Sequence, residues 1–204
     1  MTEHRPRTRI QKKNRAVILE AALDAFSARG FAGATLDGIA TTAGLSKPNL
    51  LYYFPSKEAI YLALLTDLMT AWLDPLRAMK DDGAPIDEIV GYMLRKLKMS
   101  RDFPRESRLF ANEILAGAPH IHDLITGELR ALVDDKAALI AQWQRQGHMA
   151  PLDPHHLIFS IWATTQHYAD FDTQVRGILC PDKDEHLDQA AAFLGDFYRR
   201  SLAP

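Results

Sequence analysis

An all-α chain of about nine helices is the fold this sequence predicts, and three observations carry the expectation. Apolar residues recur at steps of three and four along nearly every segment, the period of a helix with one buried face. Gly- and Pro-containing clusters punctuate the segments, as at Gly83–Pro85, Gly117–Pro119 and Gly147–Pro151. No run alternates apolar and polar residues with the Val, Ile and Thr enrichment of a strand.

Taken in order, residues 1–13 are polar and basic and are expected to form a disordered arm. "AVILEAALDAFSARG" places Val17, Ile18, Ala21, Ala22, Ala25 and Phe26 at helical spacing, and Gly30 supplies the stop. Thr35 stands before "LDGIATTAG" as an N-cap, with Asp37 in the first turn. Ser46 caps "KPNLLYYF", where Pro48 falls near the start and its missing N–H costs nothing. Pro55 breaks the chain, and Ser56 opens the long "KEAIYLALLTDLMTAWLDPLRAM" helix. Five more helical segments follow: "IDEIVGYMLRKLKMSR", "ESRLFANEILAG", "HDLITGELRALVDDKAALIAQWQRQG", "DPHHLIFSIWATTQHYADFDTQVRG" and "DEHLDQAAAFLGDFYRRSLA". The expected division is a three-helix head over 14–61 and a larger body over 62–204, joined by the long helix.

Composition narrows the class. With 204 residues, 47% hydrophobic and 25% charged, the chain matches ordinary globular proteins. Its single cysteine, Cys180, has no intrachain partner, which fits a reducing compartment. No stretch is expected to span a membrane, and no apolar segment of signal-peptide type follows the basic N-terminus, so a cytoplasmic location is expected. Net charge is −2, but residues 1–60 hold nine Lys/Arg against five Asp/Glu. A basic head on an acidic body suits a polyanionic partner.

Two short helices around a Gly-centred turn make a helix-turn-helix. Ile39, Ala40 and Ala43 form one apolar stripe, and Leu50, Leu51 and Phe54 are expected to face the same core. Lys47, Asn49, Tyr52 and Tyr53 are then left outward near the start of the second helix. In such a motif those positions meet base edges in the major groove. Lys and Asn pair with guanine and adenine edges, while Tyr hydroxyls and Lys57 are expected on phosphates. Thr35 and Ser46 are expected to cap helices beside the same backbone. An ordinary αα turn with a solvated face is the alternative.

These residues carry a resemblance. "AALDAFSARGFAGATLDGIATTAGLSKPNLLYYFPSKEAIY" resembles the DNA-binding domain of the TetR family of bacterial transcriptional regulators, over residues 14–61. The resemblance implies a homodimeric, all-helical repressor whose body binds a small effector and whose head then leaves operator DNA. A second set of strings, "LLYYFPSKEA", "SRLFANEILAGAP" and "HLIFSIWATTQHYADFDTQV", is similar to pyrimidine-responsive members of that family. It implies uracil or thymine as effector. A different small molecule remains the alternative.

A uracil ring is flat and neutral, with an N–H between two carbonyls. It calls for aromatic walls and a group that donates and accepts side by side, such as a carboxamide. Phe159, Trp162 and Gln166 share one helical face with Ala163 and Asp170. Trp72, Lys96 and Asn112 are further candidates. Dimer contacts are expected from the last two helices, through Leu157, Ile158, Ile161, Tyr168, Leu187, Ala190, Ala191, Leu194, Phe197 and Leu202. Eight histidines lack metal-ligand spacing, and neither a nucleophile elbow nor a nucleotide loop is present. No cofactor and no metal are therefore expected, and the remaining rivals are an enzyme acting on a small metabolite and a membrane- or partner-binding helical adaptor.

Overall fold

The computed structural model describes residues 9–204. Among them the regular structure is entirely helical. In chain order the helices are α1 (Arg9–Gly33), α2 (Leu36–Thr42), α3 (Lys47–Tyr53), α4 (Lys57–Arg77), α5 (Pro85–Asp102) and α6 (Pro104–Leu115). They continue with α7 (His122–Leu124), a π-helical turn (Ile125–Leu129), α8 (Arg130–Arg145), α9 (Pro154–Asp170), α10 (Asp172–Leu179) and α11 (Glu185–Leu202). The segment expected as one helix through Gly177 is broken at Phe171, whose φ of −113° and ψ of 27° leave the helical region. Three consecutive residues there, Asp170 to Asp172, have weak helix propensity.

The chain forms two compact units. The first comprises the described residues through Leu68 together with Leu109–His120. The second comprises Met69–Arg108 and Ile121–Pro204. The cut expected after Tyr61 therefore falls inside α4, and the end of α6 belongs with the head. The expected arm also ends earlier. Residues 9–13 are the first turns of α1, since Arg, Gln and Lys are good helix formers. Residues 1–8 of that arm lie outside the described residues.

In the first unit, Ile18, Ala22 and Phe26 of α1, Ile39 of α2, Leu50 of α3 and Ile60 of α4 are completely buried. The regular part of α1 stops at Gly30, where φ is +67°. The turn between α2 and α3 is fixed by backbone bonds from Gly44 N to Thr41 O and from Leu45 N to Ala40 O. Gly44 itself has φ +67°, a region that a Cβ disfavours. Leu51 departs from the expected stripe and is partly exposed.

The second unit packs α5 against α9 and α11, with α8 against α9. Its core holds Ile89, Val90 and Met93 of α5, Ile140 and Trp143 of α8, Ile158 and Ile161 of α9, and Leu194, Tyr198 and Leu202 of α11. Gln144 donates to Leu152 O at 2.7 Å and so holds the Gly147–Asp153 connection. One composition-based expectation needs correcting. α4 is long and apolar enough to cross a membrane by length and composition. Its residues Ile60, Tyr61, Leu65, Leu68, Met69, Trp72, Leu73 and Leu76 are instead buried in the protein. Lys57, Glu58, Asp67, Asp74 and Arg77 punctuate it.

Space around Gly44 is open, so an added Cβ meets no atom and the cost of substitution is the backbone conformation alone. Gly44→Ala is expected to destabilise the first unit by about 1 kcal/mol. Amide exchange in α2 and α3, compared with wild type, measures it.

Candidate DNA interface and effector site

The helix-turn-helix is assembled by two side-chain caps. Thr35 Oγ1 accepts the Gly38 N–H at 3.1 Å, and Ser46 Oγ accepts the Asn49 N–H at 3.4 Å. Each satisfies a backbone donor that a helix start leaves without a partner. With Leu50 and Phe54 buried, Ser46, Lys47, Asn49 and Tyr52 are exposed on α3. Tyr52 is 70% exposed. Lys47 reaches Asp37 Oδ2 at 2.9 Å across the surface. An exposed pair of this kind is worth only about 0.2–1 kcal/mol. It is readily exchanged for a phosphate.

Two expected DNA contacts are engaged inside the head. The half-buried Tyr53 accepts a hydrogen bond from Asn14 Nδ2 at 2.9 Å, which ties α3 to α1. Tyr52 accepts one from Gln11 at 3.2 Å but keeps its ring in solvent. Lys57 departs furthest from expectation. Its ammonium donates to Phe31 O at 2.8 Å and Ala34 O at 3.0 Å, and it lies 4.4 Å from the Phe31 ring centroid. Two carbonyls left open between α1 and α2 attract the cation inward, where it acts as a clamp within the head.

The second unit collects most of the expected effector residues. Lys96 is 4% exposed, and its ammonium lies 4.2 Å from the centroid of the buried Trp72 ring. Burial lowers its pKa to about 8, against the pull of Asp170. The Asp170 carboxyl is pushed up, chiefly by burial, and is held by a hydrogen bond from Ser107. Burial favours the uncharged form of each. On the same face of α9, Trp162 Nε1 donates to Tyr92 OH at 2.6 Å. Burial pushes the Tyr92 phenol up as well.

One polar rung thus joins α5 to α9, from Tyr92 to Trp162, and one turn further along α5 Lys96 feels the charge of Asp170. Gln166 stands on α9 between Trp162 and Asp170, at i+4 from one and i−4 from the other. It is half-buried, and its amide makes no hydrogen bond among the described residues. Phe159 does not wall this region as expected. Its ring lies 5.5 Å from Trp162, but the residue is 46% exposed. Asn112 is exposed and belongs to the first unit, because α6 turns that position outward. Tyr92 and Ser107 were not foreseen. The i, i+4 spacing of Tyr92 with Lys96 was a usable signal, whereas Ser107 had none.

The dimer residues divide differently from the expectation. Leu157, Ile158, Ile161, Leu187, Ala190, Leu194 and Leu202 are buried within the single chain, and Tyr168 and Ala191 pack against that core. Periodicity marks an apolar face without saying whose core it enters. Only Phe197 of the expected set is substantially exposed, at 48%. Its ring stacks on that of Phe193, which is also exposed.

The buried lysine makes a testable statement. Folding lowers its pKa, so between about 8 and the ordinary 10.5 the unfolded chain holds a proton that the folded chain does not. Stability then rises with pH through that window and is lost as pH falls through it. Lys96→Met is expected to remove this part of the pH dependence, about 3 kcal/mol across the whole window. Denaturant titrations of both proteins across the window measure the difference.

Comparisons with known proteins bear on the family and the fold. Residues 18–64 match the model of bacterial regulatory proteins of the tetR family, and residues 65–204 match that of the YcdC-like protein C-terminal region. The chain is 55% identical over 172 residues to the HTH-type transcriptional regulator RutR of Escherichia coli (strain K12), covering 84% of this chain and 81% of RutR. It is 24% identical over 187 residues to IcaR of Staphylococcus epidermidis, a negative regulator of the biofilm operon icaADBC, covering 90% and 98%. A transcriptional regulator of Streptomyces coelicolor superposes with a TM-score of 0.74 at 25% identity, over 93% of this chain and 98% of that one. AibR in complex with isovaleryl coenzyme A and operator DNA shares the fold, with a TM-score of 0.70 at 19% identity over 90% and 97%. The chain belongs to the TetR family: it is a ligand-responsive transcriptional regulator, not an enzyme.

Proposed function

We propose that the chain is a cytoplasmic repressor of pyrimidine-degradation genes that leaves its operator when uracil or thymine binds. The observation that carries the effector reading is the Gln166 amide, which has no hydrogen-bond partner among the described residues and stands on α9 between Trp162, bonded to Tyr92, and Asp170. A half-buried carboxamide without a protein partner stays open to water or to a ligand, and covering it unpaired would cost roughly 1–3 kcal/mol. An imide edge would satisfy it, offering N–H and C=O side by side. Trp162 and Trp72 supply flat apolar surface for a ring of that size. The likeness to RutR supports the same choice. Lys96 would face a carbonyl oxygen of the base.

For DNA, Lys47, Asn49 and Tyr52 on α3 are the proposed contacts, with Thr35 and Ser46 beside phosphates. Tyr53 and Lys57 act by holding the head together. The proposed dimer surface is the outward apolar face of α9 and α11, carrying Phe159, Phe193 and Phe197. Ser160 and Thr164 of α9 both lie 3.1 Å from the Tyr198 hydroxyl of α11, so the two helices stand side by side.

Calorimetric titration of the full chain with uracil and with thymine is the direct test. Saturable binding of one base is expected, with Gln166→Ala weakening it at least tenfold while the fold is kept, a loss of about 1.4 kcal/mol or more. Folded wild type that binds neither base would leave a regulator of another effector. On the DNA side, Lys47→Ala is expected to reduce the slope of log K against log salt by about one. An unchanged slope would remove Lys47 from the phosphate contacts.

A further inference from the structure

The first unit holds a buried acid that neither the DNA surface nor the effector cluster uses. Glu113, on α6, is 2% exposed. One of its oxygens accepts the His120 backbone N–H at 2.7 Å, and the other lies 3.1 Å from His120 Nδ1. Tyr61 also bonds to Glu113, and burial together with that negative charge pushes the Tyr61 phenol up. The His120 ring packs against Phe31 at 4.9 Å and Tyr61 at 5.0 Å between centroids. Glu58 completes the charged surroundings, close enough to feel His120, and Lys57 lies over the Phe31 ring.

The chain on either side of this cluster is shaped to hold it. Gly117 and Ala118 both have positive φ, 88° and 55°. Ala118 carries a Cβ in that disfavoured region and is buried. Its N–H returns to Glu113 O at 2.8 Å, so the strained turn delivers His120 to the Glu113 carboxylate. At the other end Phe31 lies between the Gly30 kink and Thr35, the N-cap of α2. The segment from Phe31 to Ala34 is held through its carbonyls by Lys57 and through the Phe31 ring by His120.

We propose that His120 is a positioning residue for DNA binding: through Phe31 and Tyr61 it fixes the segment that leads into α2, and with it the orientation of the helix-turn-helix. A group that orients the reading helices without touching DNA affects fit to a chosen sequence more than attraction to any phosphate backbone.

The test uses full-length protein and two duplexes of equal length. One is selected by wild type from random-sequence DNA, and the other is its scrambled counterpart. His120→Ala is expected to bind the selected duplex about tenfold more weakly, within the range that residues remote from a ligand can exert. Its affinity for the scrambled duplex should be unchanged. Glu113→Gln should show a similar selective loss, and the double variant should lose less than the two singles combined. Wild-type affinity for the selected duplex would overturn the proposal, as would equal losses on both duplexes, which mark a merely structural role. If His120→Ala does not fold, His120→Phe decides, since it keeps the ring and drops the bond to Glu113. A loss confined to the selected duplex then supports the proposal, and wild-type behaviour overturns it.

Discussion

The head depends on one lysine ammonium that stays indoors. Lys57 begins α4, yet its charge is spent on the carbonyls of Phe31 and Ala34, at the join of α1 and α2. A charge-assisted bond to a carbonyl is worth more than a neutral one, roughly 1.5–3 kcal/mol against about 1. Two such bonds fix the exit of one helix and the entry of the next to the first turn of a third. Around that point Phe26, Phe31 and Tyr61 form a packed aromatic group with centroids 4.9–6.0 Å apart. The two N-caps then only have to place short helices on a frame that is already set.

The second unit has the opposite character. Its apolar core is continuous from α5 through α8, α9 and α11, and the polar groups within it are few and specific. Lys96 and Asp170 sit where burial favours the neutral form of each. Replacing such a pair by apolar residues often stabilises a fold. Groups of this kind therefore add little to stability, which leaves room for the recognition role proposed above.

Much of this was legible in the sequence, because helix periodicity and caps are local. Thr35, Gly44 and Ser46 announced the helix-turn-helix through properties they carry alone. Trp72, Lys96, Trp162 and Gln166 could be placed on inner faces by spacing. What the sequence left open was the identity of the neighbour. Lys57 looks like any basic residue at a helix start until the carbonyls of a segment 26 residues earlier are brought to it. Ile158, Ile161 and Leu194 have the same pattern whether they meet another helix of their own chain or a second copy. Asn112 is polar amid apolar residues, and only the rotation of α6 decides that it faces water. The break at Phe171 depended on three residues of weak propensity, which periodicity averages away.

That the buried face of α9 and α11 belongs to the chain's own core has a consequence for gene dosage. A unit that closes its core alone has a stability set by its sequence, whatever the number of copies in the cell. Pairing of two copies through the exposed phenylalanines, as proposed above, would instead be set by mass action. For a family whose members usually bind operator DNA as homodimers, the active species then falls with the square of subunit concentration when copies are scarce. Growth in cell volume without new synthesis would then lower the DNA-binding form of such a regulator without unfolding or degrading a single chain.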